Sequence, residues 1–241
     1  MPTAPKPKTG ALALTRPGAD VTWREPARYW PALTAATRDL DTPFGAISAE
    51  ALAANAFDML ARAAGTPIRV ASKSVRVRGV LDAVLALPGY SGVLAYSLPE
   101  ALWLASDSDG AQAIRDVVVG YPTADRAALA RLASDEVLAS RVTLMVDDAR
   151  QLDLIDAVAP SAKRKSIRVC LELDASFDAP VLGHVGVRRS PVHTPQQARA
   201  LAEAIVSRPG FSLVGMMGYE AQIAGLANKG KPIVRAIQRA S

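Results

Sequence analysis

The sequence predicts an α/β protein in which strands and helices alternate along the chain. Apolar strand-like runs recur at a nearly constant spacing, and helix-start signals lie between them. Successive runs begin 24, 24, 26 and 25 residues apart, which suits a strand followed by a covering helix. Because such units repeat as βαβ, we expect a parallel sheet with helices outside it. The runs begin near Ile68, Gly92, Asp116, Val142 and Ile167, and a sixth, SLVGMMGYE, ends near Glu220.

The first strand is predicted over residues 68–75, IRVASKSV, from its β-branched content. A helix precedes it, since apolar residues recur at helical spacing from Ser48 onward and Gly65 ends the pattern. The predicted apolar face of this helix contains Leu52, Ala56, Phe57, Leu60 and Ala64.

Capping residues predict where four later helices begin, because their side chains satisfy the first backbone N–H groups of a helix. A proline early in the helix adds to the signal at two of them. An irregular insert is expected between LELD, residues 171–174, and the last of these helices, which ends near Ser207. The four starts are Leu98-Pro99-Glu100, Thr123 before a helix over Asp125–Ala133, Asp148 before a helix over Gln151–Val158, and Thr194-Pro195-Gln196-Gln197.

Six strands suit either a doubly wound sheet or an incomplete eight-stranded barrel. A dinucleotide-binding sheet carries G-x-G-x-x-G just after its first strand, whereas this chain reads RVRGVLDAV after Val75. The sequence also contains no G-x-x-x-x-G-K-[ST] loop. These residues therefore do not favour nucleotide binding through a standard phosphate loop.

Composition excludes several other classes of protein. Half of the 241 residues are hydrophobic and 21% are charged, which excludes wholesale disorder. The single Cys170 excludes a disulfide framework and fits a reducing compartment, while His184 and His193 are too few for a histidine-rich metal site. Because we find neither a membrane-spanning run nor the apolar core of a signal peptide, we expect a cytoplasmic protein and no membrane partner.

The positive charge lies at the two ends of the chain. The formal net charge is +5, with +3 in residues 1–40 and +4 in residues 229–241, so the middle carries −2. Nucleic-acid binding would favour a basic stripe with interleaved aromatic residues, and none is present. We therefore expect no nucleic-acid partner. Residues 1–40, rich in Pro, Thr, Ala and Arg, are predicted to form a partly flexible N-terminal extension, and residues 41–241 the α/β domain.

In a (β/α) barrel the functional residues lie at the carboxyl ends of the strands. Lys73 stands out there because it is the only lysine between Lys8 and Lys163. Its ammonium group either reaches solvent along the strand or serves as an amine for a Schiff base. Asp147 and Asp148 are interpreted mainly as a helix cap. The full set of strand-end residues is Lys73, Ser74, Tyr96, Tyr121, Asp147, Asp148, Asp174, Tyr219 and Glu220.

Four stretches together resemble a known enzyme family over residues 42–225 or so. They are IRVASKSVR, SGVLAYSLPEALWLA, VVVGYPTADRAALARLA and VTLMVDDARQLDLID. The chain resembles the alanine racemase N-terminal-domain-like barrels that use pyridoxal 5′-phosphate (PLP), known as fold-type III. The most similar branch is the D-threonine aldolase and D-serine dehydratase-like amino acid deaminases/aldolases. The resemblance implies a (β/α)8 TIM-type barrel, incomplete here at about six strands.

The resemblance also implies roles for individual residues. Arg69 and Lys73 have the spacing of the family's first strand, which implies that Lys73 forms the Schiff base with PLP. The family's histidine between them is absent, since the sequence reads Arg-Val-Ala-Ser-Lys. Because of this departure, the resemblance does not fix the exact substrate or the subfamily.

A second motif lies at HVGVRRSPV, residues 184–192, which fits the family pattern Asp-x-Gly-x-x-Arg-x-Gly-Val at Gly186 and Arg189. The sequence departs from it at His184 and Pro191. The resemblance implies that Arg189 binds the phenolic oxygen of the cofactor or the substrate carboxylate. A surface arginine beside Arg188 is the alternative interpretation.

Tyrosines complete the predicted cofactor site. Tyr219, in GMMGYEAQ, is implied to lie beside the cofactor ring, and its alternative is a barrel-end tyrosine with its hydroxyl in water. Tyr96 is also assigned to cofactor binding. Tyr121 is predicted to line the mouth of the barrel beside it. No metal ligand is assigned in this chain.

The implied activity is that of a PLP-dependent lyase acting on D-3-hydroxy amino acids such as D-threonine or D-serine. The alternatives are an amino acid racemase, a non-catalytic PLP-binding protein and an inactive fragment. The family barrel has two further strands, a phosphate-binding loop and a C-terminal β-domain whose His/Cys or His/Asp pair binds a divalent metal. We do not find these parts and interpret the chain as a fragment or a truncated product. The expected partners are a small amino-acid substrate and, in the full-length form, a second identical subunit.

Overall fold

A computed structural model describes residues 12–18, 22–107, 111–180 and 183–220. The predictions made for residues 1–11 and 19–21 of the N-terminal extension, and for the basic C-terminal segment, concern residues outside these ranges. The chain divides into two compact units, residues 1–92 and 93–241. Within the described ranges, no helix is long and apolar enough to cross a membrane.

In its described residues, the first unit contains three α-helices, one strand and the start of a second strand. Helix α2 begins as predicted, because the Ser48 hydroxyl accepts a hydrogen bond from the backbone N–H of Ala51. It ends where Ala64 and Gly65 adopt positive φ angles of 48° and 92°. The elements are α1 (Pro26–Ala36), α2 (Ala49–Ala63), β1 (Ile68–Ala71), α3 (Arg78–Leu85) and β2 (Tyr90–Ala95), whose last residues belong to the second unit.

The prediction of a strand over residues 68–75 is wrong beyond Ala71. The chain turns there into a 3-10 helix at Ser72–Ser74, and the N–H of Val75 donates to the Ser72 carbonyl at 3.1 Å. The reason is local, because serine side chains compete for backbone hydrogen bonds and favour turns over strands. Lys73 consequently lies on a turn just after β1 and not within the strand.

The core of the first unit is formed by α2 and α3 packing around the start of β2. The buried Tyr90 hydroxyl donates to the Ala56 carbonyl at 2.9 Å, which ties β2 to α2. Leu14 is buried in the same cluster, so part of the N-terminal extension packs on this unit. Buried apolar residues in this cluster are Leu14, Ala53, Ala56, Val80, Ala83, Val84, Leu87 and Tyr90.

The second unit continues the alternation of strands and helices. Its strands are the end of β2, β3 (Val117–Val119), β4 (Val142–Val146), β5 (Ile167–Asp174), β6 (Phe177–Ala179), β7 (Gly183–Val185) and β8 (Phe211–Tyr219). Its helices are α4 (Leu98–Leu104), α5 (Arg126–Ser134), α6 (Glu136–Arg141), α7 (Ala149–Val158) and α8 (Pro195–Ser207).

The main sheet has six strands in the order β1-β2-β3-β4-β5-β8, and each neighbouring pair from β2 to β8 is parallel. Every residue of β4 is buried, as is typical of a central strand in a parallel sheet. The strand starts predicted from the 25-residue spacing are thereby confirmed to within two residues. The insert after β5 is not irregular throughout, because Phe177 pairs with Val185 in an antiparallel hairpin formed by β6 and β7.

Three of the four predicted helix starts are confirmed. Ser97 caps α4, and complete capping boxes begin α7 and α8. The Thr123 prediction is wrong, because the Asp125 carboxylate accepts from the N–H of Ala128 at 3.0 Å and α5 begins at Arg126. The Thr123 hydroxyl instead accepts from the N–H of Asp125 at 3.2 Å. Aspartate is a strong N-cap residue, and its negative charge also suits the positive end of a helix.

Candidate functional site

Several ionisable side chains lie at the carboxyl ends of the strands in the second unit. Tyr96 follows β2, Tyr121 follows β3, Asp147 follows β4, and Tyr219 ends β8. These positions are where a parallel α/β barrel places its functional residues. Arg189, from the loop between β7 and α8, contacts two of the tyrosines and therefore defines the centre of the candidate site.

The Arg189 guanidinium is bonded on two sides. Its Nε donates to the Glu172 carboxylate, and one terminal nitrogen donates to the Gly120 carbonyl at 2.5 Å. Only 1% of the Glu172 side chain and 15% of the Arg189 side chain are exposed. A buried carboxylate requires such a partner because its desolvation is costly when it stands alone.

Tyrosine rings lie against the same guanidinium. The Arg189 Cζ atom is 4.4 Å from the centre of the Tyr121 ring and 5.1 Å from that of Tyr219. Tyr96 packs edge-to-face on Tyr121, with 5.4 Å between ring centres. A cation near aromatic faces is attracted by their negative electrostatic potential, so the rings hold the guanidinium in place. All three tyrosines are partly exposed, so the cluster faces solvent.

The pKa values of the buried pair follow from burial and pairing. Desolvation raises the pKa of Glu172, although its hydrogen bond and charge interaction with Arg189 act in the opposite direction. The negative charge of Asp147 adds to the increase. For Arg189, burial lowers the pKa, but the interactions with Glu172 and Tyr121 outweigh it, so the pKa is raised overall. The arginine therefore remains a cation throughout the physiological range.

Backbone contacts hold the Arg189 loop against β5. The Ser190 hydroxyl donates to the Glu172 carbonyl at 2.9 Å and accepts from the N–H of Val192 at 3.0 Å. The N–H of Asp174 donates to the Val192 carbonyl at 2.8 Å. Arg189 is thereby fixed by the backbone on its C-terminal side as well as by its own side chain.

A cavity of about 210 Å³ opens beside the tyrosines, at the ends of β2 and β3. Apolar residues provide much of its wall, and Thr123 and Asp125 contribute polar groups. A space of this size fits part of a small metabolite rather than a macromolecule. Its lining includes Tyr96, Leu98, Pro99, Val119, Tyr121 and Thr123.

The paired aspartates after β4 serve the helix that follows. Asp147 accepts from the Gln151 amide at 2.5 Å, and Asp148 caps α7 and pairs with Arg150 at 2.5 Å. Side-chain and backbone hydrogen bonds from Arg150 lower the pKa of Asp148 to about 2. The interpretation as a helix cap is confirmed for Asp148, whereas Asp147 binds the side chain of the same capping-box glutamine.

Lys73 belongs to the first unit. Its side chain is exposed on the 3-10 turn that follows β1, and the neighbouring Ser72 is fully buried. Lys73 therefore lies on an exposed turn just after β1 and not within the strand that the sequence predicted. Its assignment to cofactor binding, like that of Arg189, Tyr219 and Tyr96, stays a prediction.

Sequence reasoning missed two partners of Arg189. Glu172 is the only charge inside the apolar run VCLEL, which is a signal that it needs a buried cation. The Gly120 carbonyl has no sequence signal, because any residue supplies that group. The interpretation of Arg189 as a surface arginine does not fit its burial.

Among the described residues, no group of three or more His, Cys, Asp or Glu side chains could hold a metal ion.

Comparisons with known proteins place this geometry in context. Residues 47–240 match the protein family described as "Alanine racemase, N-terminal domain". A D-threonine aldolase from Filomicrobium marinum superposes with a TM-score of 0.59 and 25% sequence identity, covering 74% of this chain and 44% of the aldolase. Among curated protein sequences, none matches the chain.

Two alanine racemases are similar in fold. That of Bacillus anthracis, solved with bound L-Ala-P, has a TM-score of 0.52 at 16% identity and covers 77% of this chain and 43% of its own. That of Oenococcus oeni has a TM-score of 0.50 at 14% identity, with 78% and 43% covered. The chain spans less than half the length of each of these three proteins.

Proposed function

The chain belongs to the alanine racemase N-terminal-domain family, whose members are PLP-dependent enzymes with an α/β barrel, and from this premise we propose that it is a PLP-dependent lyase. Its fold is an incomplete TIM-type barrel of the alanine racemase kind. The proposed substrates are D-3-hydroxy amino acids such as D-threonine or D-serine, which the enzyme cleaves to glycine and an aldehyde or deaminates. The 25% identity to a D-threonine aldolase supports this choice.

The observation that carries the proposal is the fixed cation at the strand ends. Arg189 is bonded to Glu172 and Gly120 and lies near two tyrosine rings, so a guanidinium is presented at the mouth of the cluster. PLP and an amino acid both carry oxygen anions, and a guanidinium recognises such groups with fixed donors. The donor chemistry of Arg189 therefore fits the cofactor's phenolic oxygen or the substrate carboxylate.

Lys73 supplies the second requirement, a primary amine at the end of the first strand. A lysine in this position would hold PLP through its Nζ atom and could accept and return a proton there. When bound, PLP withdraws electrons from the substrate and so weakens the bonds around its α-carbon. The protein's own part is to orient that carbon and to move the proton. Tyr219 and Tyr96 are proposed to line the cofactor.

A racemase is the second candidate, because two alanine racemases share the fold. Those similarities lie below 25% identity and support the fold alone. A racemase also needs an acid or base on the face of the substrate opposite the lysine. A non-catalytic PLP-binding protein and an inactive fragment remain the alternatives outside enzyme function.

The test begins with the cofactor lysine. PLP is added to the purified chain, the complex is reduced with borohydride, and the labelled peptide is mapped by mass spectrometry. We expect label on Lys73 and its loss in Lys73→Ala. Lys163→Ala is the matched control, because Lys163 is also an exposed lysine on a 3-10 turn and should leave the label unchanged. Label scattered over surface lysines in both variants would contradict the proposal.

Product analysis then separates the reactions. D-Threonine giving glycine and acetaldehyde indicates an aldolase, and D-serine giving ammonia and pyruvate indicates a deaminating lyase. Inversion of either amino acid without these products indicates a racemase. Label on Lys73 without any turnover indicates a non-catalytic binding protein.

Two further properties belong to this proposal. The protein is proposed to be cytoplasmic and to form a homodimer, with a small amino-acid substrate as its ligand. Light scattering of the purified protein tests the dimer.

A further inference from the structure

We infer that Glu172 is a positioning residue that acts through Arg189 to direct one edge of the guanidinium toward the substrate carboxylate. The inference rests on the proposed function in one respect, namely that Arg189 meets the carboxylate of an amino acid. It assigns a role to a side chain within β5 that itself has no access to substrate.

Burial shows that Glu172 requires a partner. The residue lies within β5, only 1% of its side chain is exposed, and its neighbour Leu171 is fully buried. Its carboxylate bonds to the Nε of Arg189, which comes from a loop 17 residues further along the chain. An unpaired carboxylate in this place would be strongly unfavourable. The pairing therefore fixes where the arginine must lie.

The bonding pattern decides which edge of the guanidinium is left for a ligand. A guanidinium has five N–H donors in one plane. The Nε donor is taken by Glu172, and Nη2 donates to the Gly120 carbonyl. Neither acceptor binds the Nη1 donors, although Tyr121 also interacts with the guanidinium. On this inference, the Nη1 edge is the one that meets an incoming carboxylate. The ring centres of Tyr121 and Tyr219 lie 4.4 and 5.1 Å from the Arg189 Cζ atom, and the two rings limit movement of the guanidinium plane.

Buried ion pairs contribute less to stability than well-packed apolar residues do. Their best-supported role is to select one arrangement of the side chains that they join. The Glu172 pair specifies the orientation of a cation that lies at the edge of the tyrosine cluster. Replacing the carboxylate by an amide keeps a group of the same shape that can still accept from Nε, but it removes the charge. The Arg189 orientation then loses its strongest restraint.

The experiment compares two ligands that differ in the carboxylate alone. Binding of D-alanine and of D-alaninol to the PLP-treated chain is measured by titration calorimetry. Both ligands carry the same amine and methyl group, so the ratio of their affinities reports recognition of the carboxylate. The ratio is measured for the wild-type chain, Glu172→Gln, Arg189→Lys and the double variant. Glu203→Gln is the matched control, because Glu203 accepts from the Nε of Arg199 on the exposed surface.

We expect the wild-type chain to prefer D-alanine and Glu172→Gln to reduce that preference at least tenfold. Arg189→Lys should reduce it similarly, and adding Glu172→Gln to Arg189→Lys should change it no further. Glu203→Gln should keep the wild-type ratio. Equal weakening of both ligands by Glu172→Gln, additive effects in the double variant, or no wild-type preference would each overturn the inference.

Two safeguards keep the outcomes separate. If Glu172→Gln does not fold, Glu172→Asp is measured in the same way, and an unchanged ratio in that folded variant contradicts the inference. The proposed function is judged by label on Lys73, which does not involve Glu172. A carboxylate preference that depends on Glu172 without label on Lys73 would refute the lyase and leave the positioning role intact.

Discussion

Arg164 offers the sharpest test of how this fold is held together. Its side chain is fully buried, between the end of α7 and the start of β8. Its guanidinium bonds to the Asp156 carboxylate at 2.6 Å, to the Ala159 carbonyl at 2.8 Å and to the Gly210 carbonyl. It also lies 4.5 Å over the Phe211 ring. One side chain therefore joins a helix, a loop and a strand.

The cost of replacing Arg164 by methionine follows from these contacts. The partly buried Ala159 carbonyl loses its charged donor, which costs about 1–3 kcal/mol, whereas the Gly210 carbonyl still accepts from the N–H of Ile167 at 3.0 Å. Asp156 keeps a second partner, since Arg208 Nε bonds to it at 2.8 Å, so the carboxylate is not left unpaired. Loss of the contact with Phe211 adds about 1 kcal/mol. The sum is about 2–4 kcal/mol, which overlaps the usual cost of breaking a buried pair.

The assay is urea denaturation followed by circular dichroism, with Arg199→Met as the control. Arg199 also pairs with a carboxylate, that of Glu203 at 3.1 Å, but 81% of its side chain is exposed. We expect about 0.5 kcal/mol or less for this exposed pair. The comparison holds when the variants share the same dependence of the unfolding free energy on urea concentration. If Arg164→Met then lowers the free energy of unfolding by less than about 1 kcal/mol, or by no more than Arg199→Met does, the reasoning from burial is wrong.

Three smaller predictions concern caps and one buried hydroxyl. Asp148→Ala and Thr194→Ala should each lower the free energy of unfolding by about 1 kcal/mol through loss of an N-cap, and equal stability to wild type by urea denaturation would contradict this. The pKa of Asp148 is lowered in the folded state from 3.8 to about 2, so the stability it contributes is present above pH 3.8 and lost as the pH falls through 2. Asp148→Asn should therefore lose less stability than wild type between pH 4 and pH 2, and parallel curves would refute the linkage. Tyr90→Phe should cost about 1 kcal/mol, measured as a lower urea midpoint, because the Ala56 carbonyl loses its donor.

Helix starts show how much local chemistry can predict. The capping boxes at Asp148 and Thr194 were recognised because cap and glutamine lie three residues apart and need no distant partner. Thr123 failed for the same local reason, since Asp125 is a stronger cap two residues later. The length of β1 failed because two serines redirect the backbone within a run that otherwise looks like a strand.

The candidate site was predictable only in part. Arg189, Tyr219, Tyr96 and Tyr121 were named from strand ends and motif resemblance, and the structure brings these four together in one cluster. Glu172 and the Gly120 carbonyl were not named. Their partner Arg189 lies 17 and 69 residues away along the chain, and no local pattern encodes such a contact.

The sequence by itself determined the alternation of strands and helices, the capping boxes of α7 and α8 and, to within two residues, where the main-sheet strands begin. These features depend on neighbours within a few residues, where side-chain hydrogen bonds and apolar spacing decide the backbone. Tertiary structure alone decided that Arg189 is buried against Glu172 and that Arg164 ties α7 to β8. Such pairs form only when the sheet brings distant segments together, and burial then makes each charge dependent on the partner that it meets.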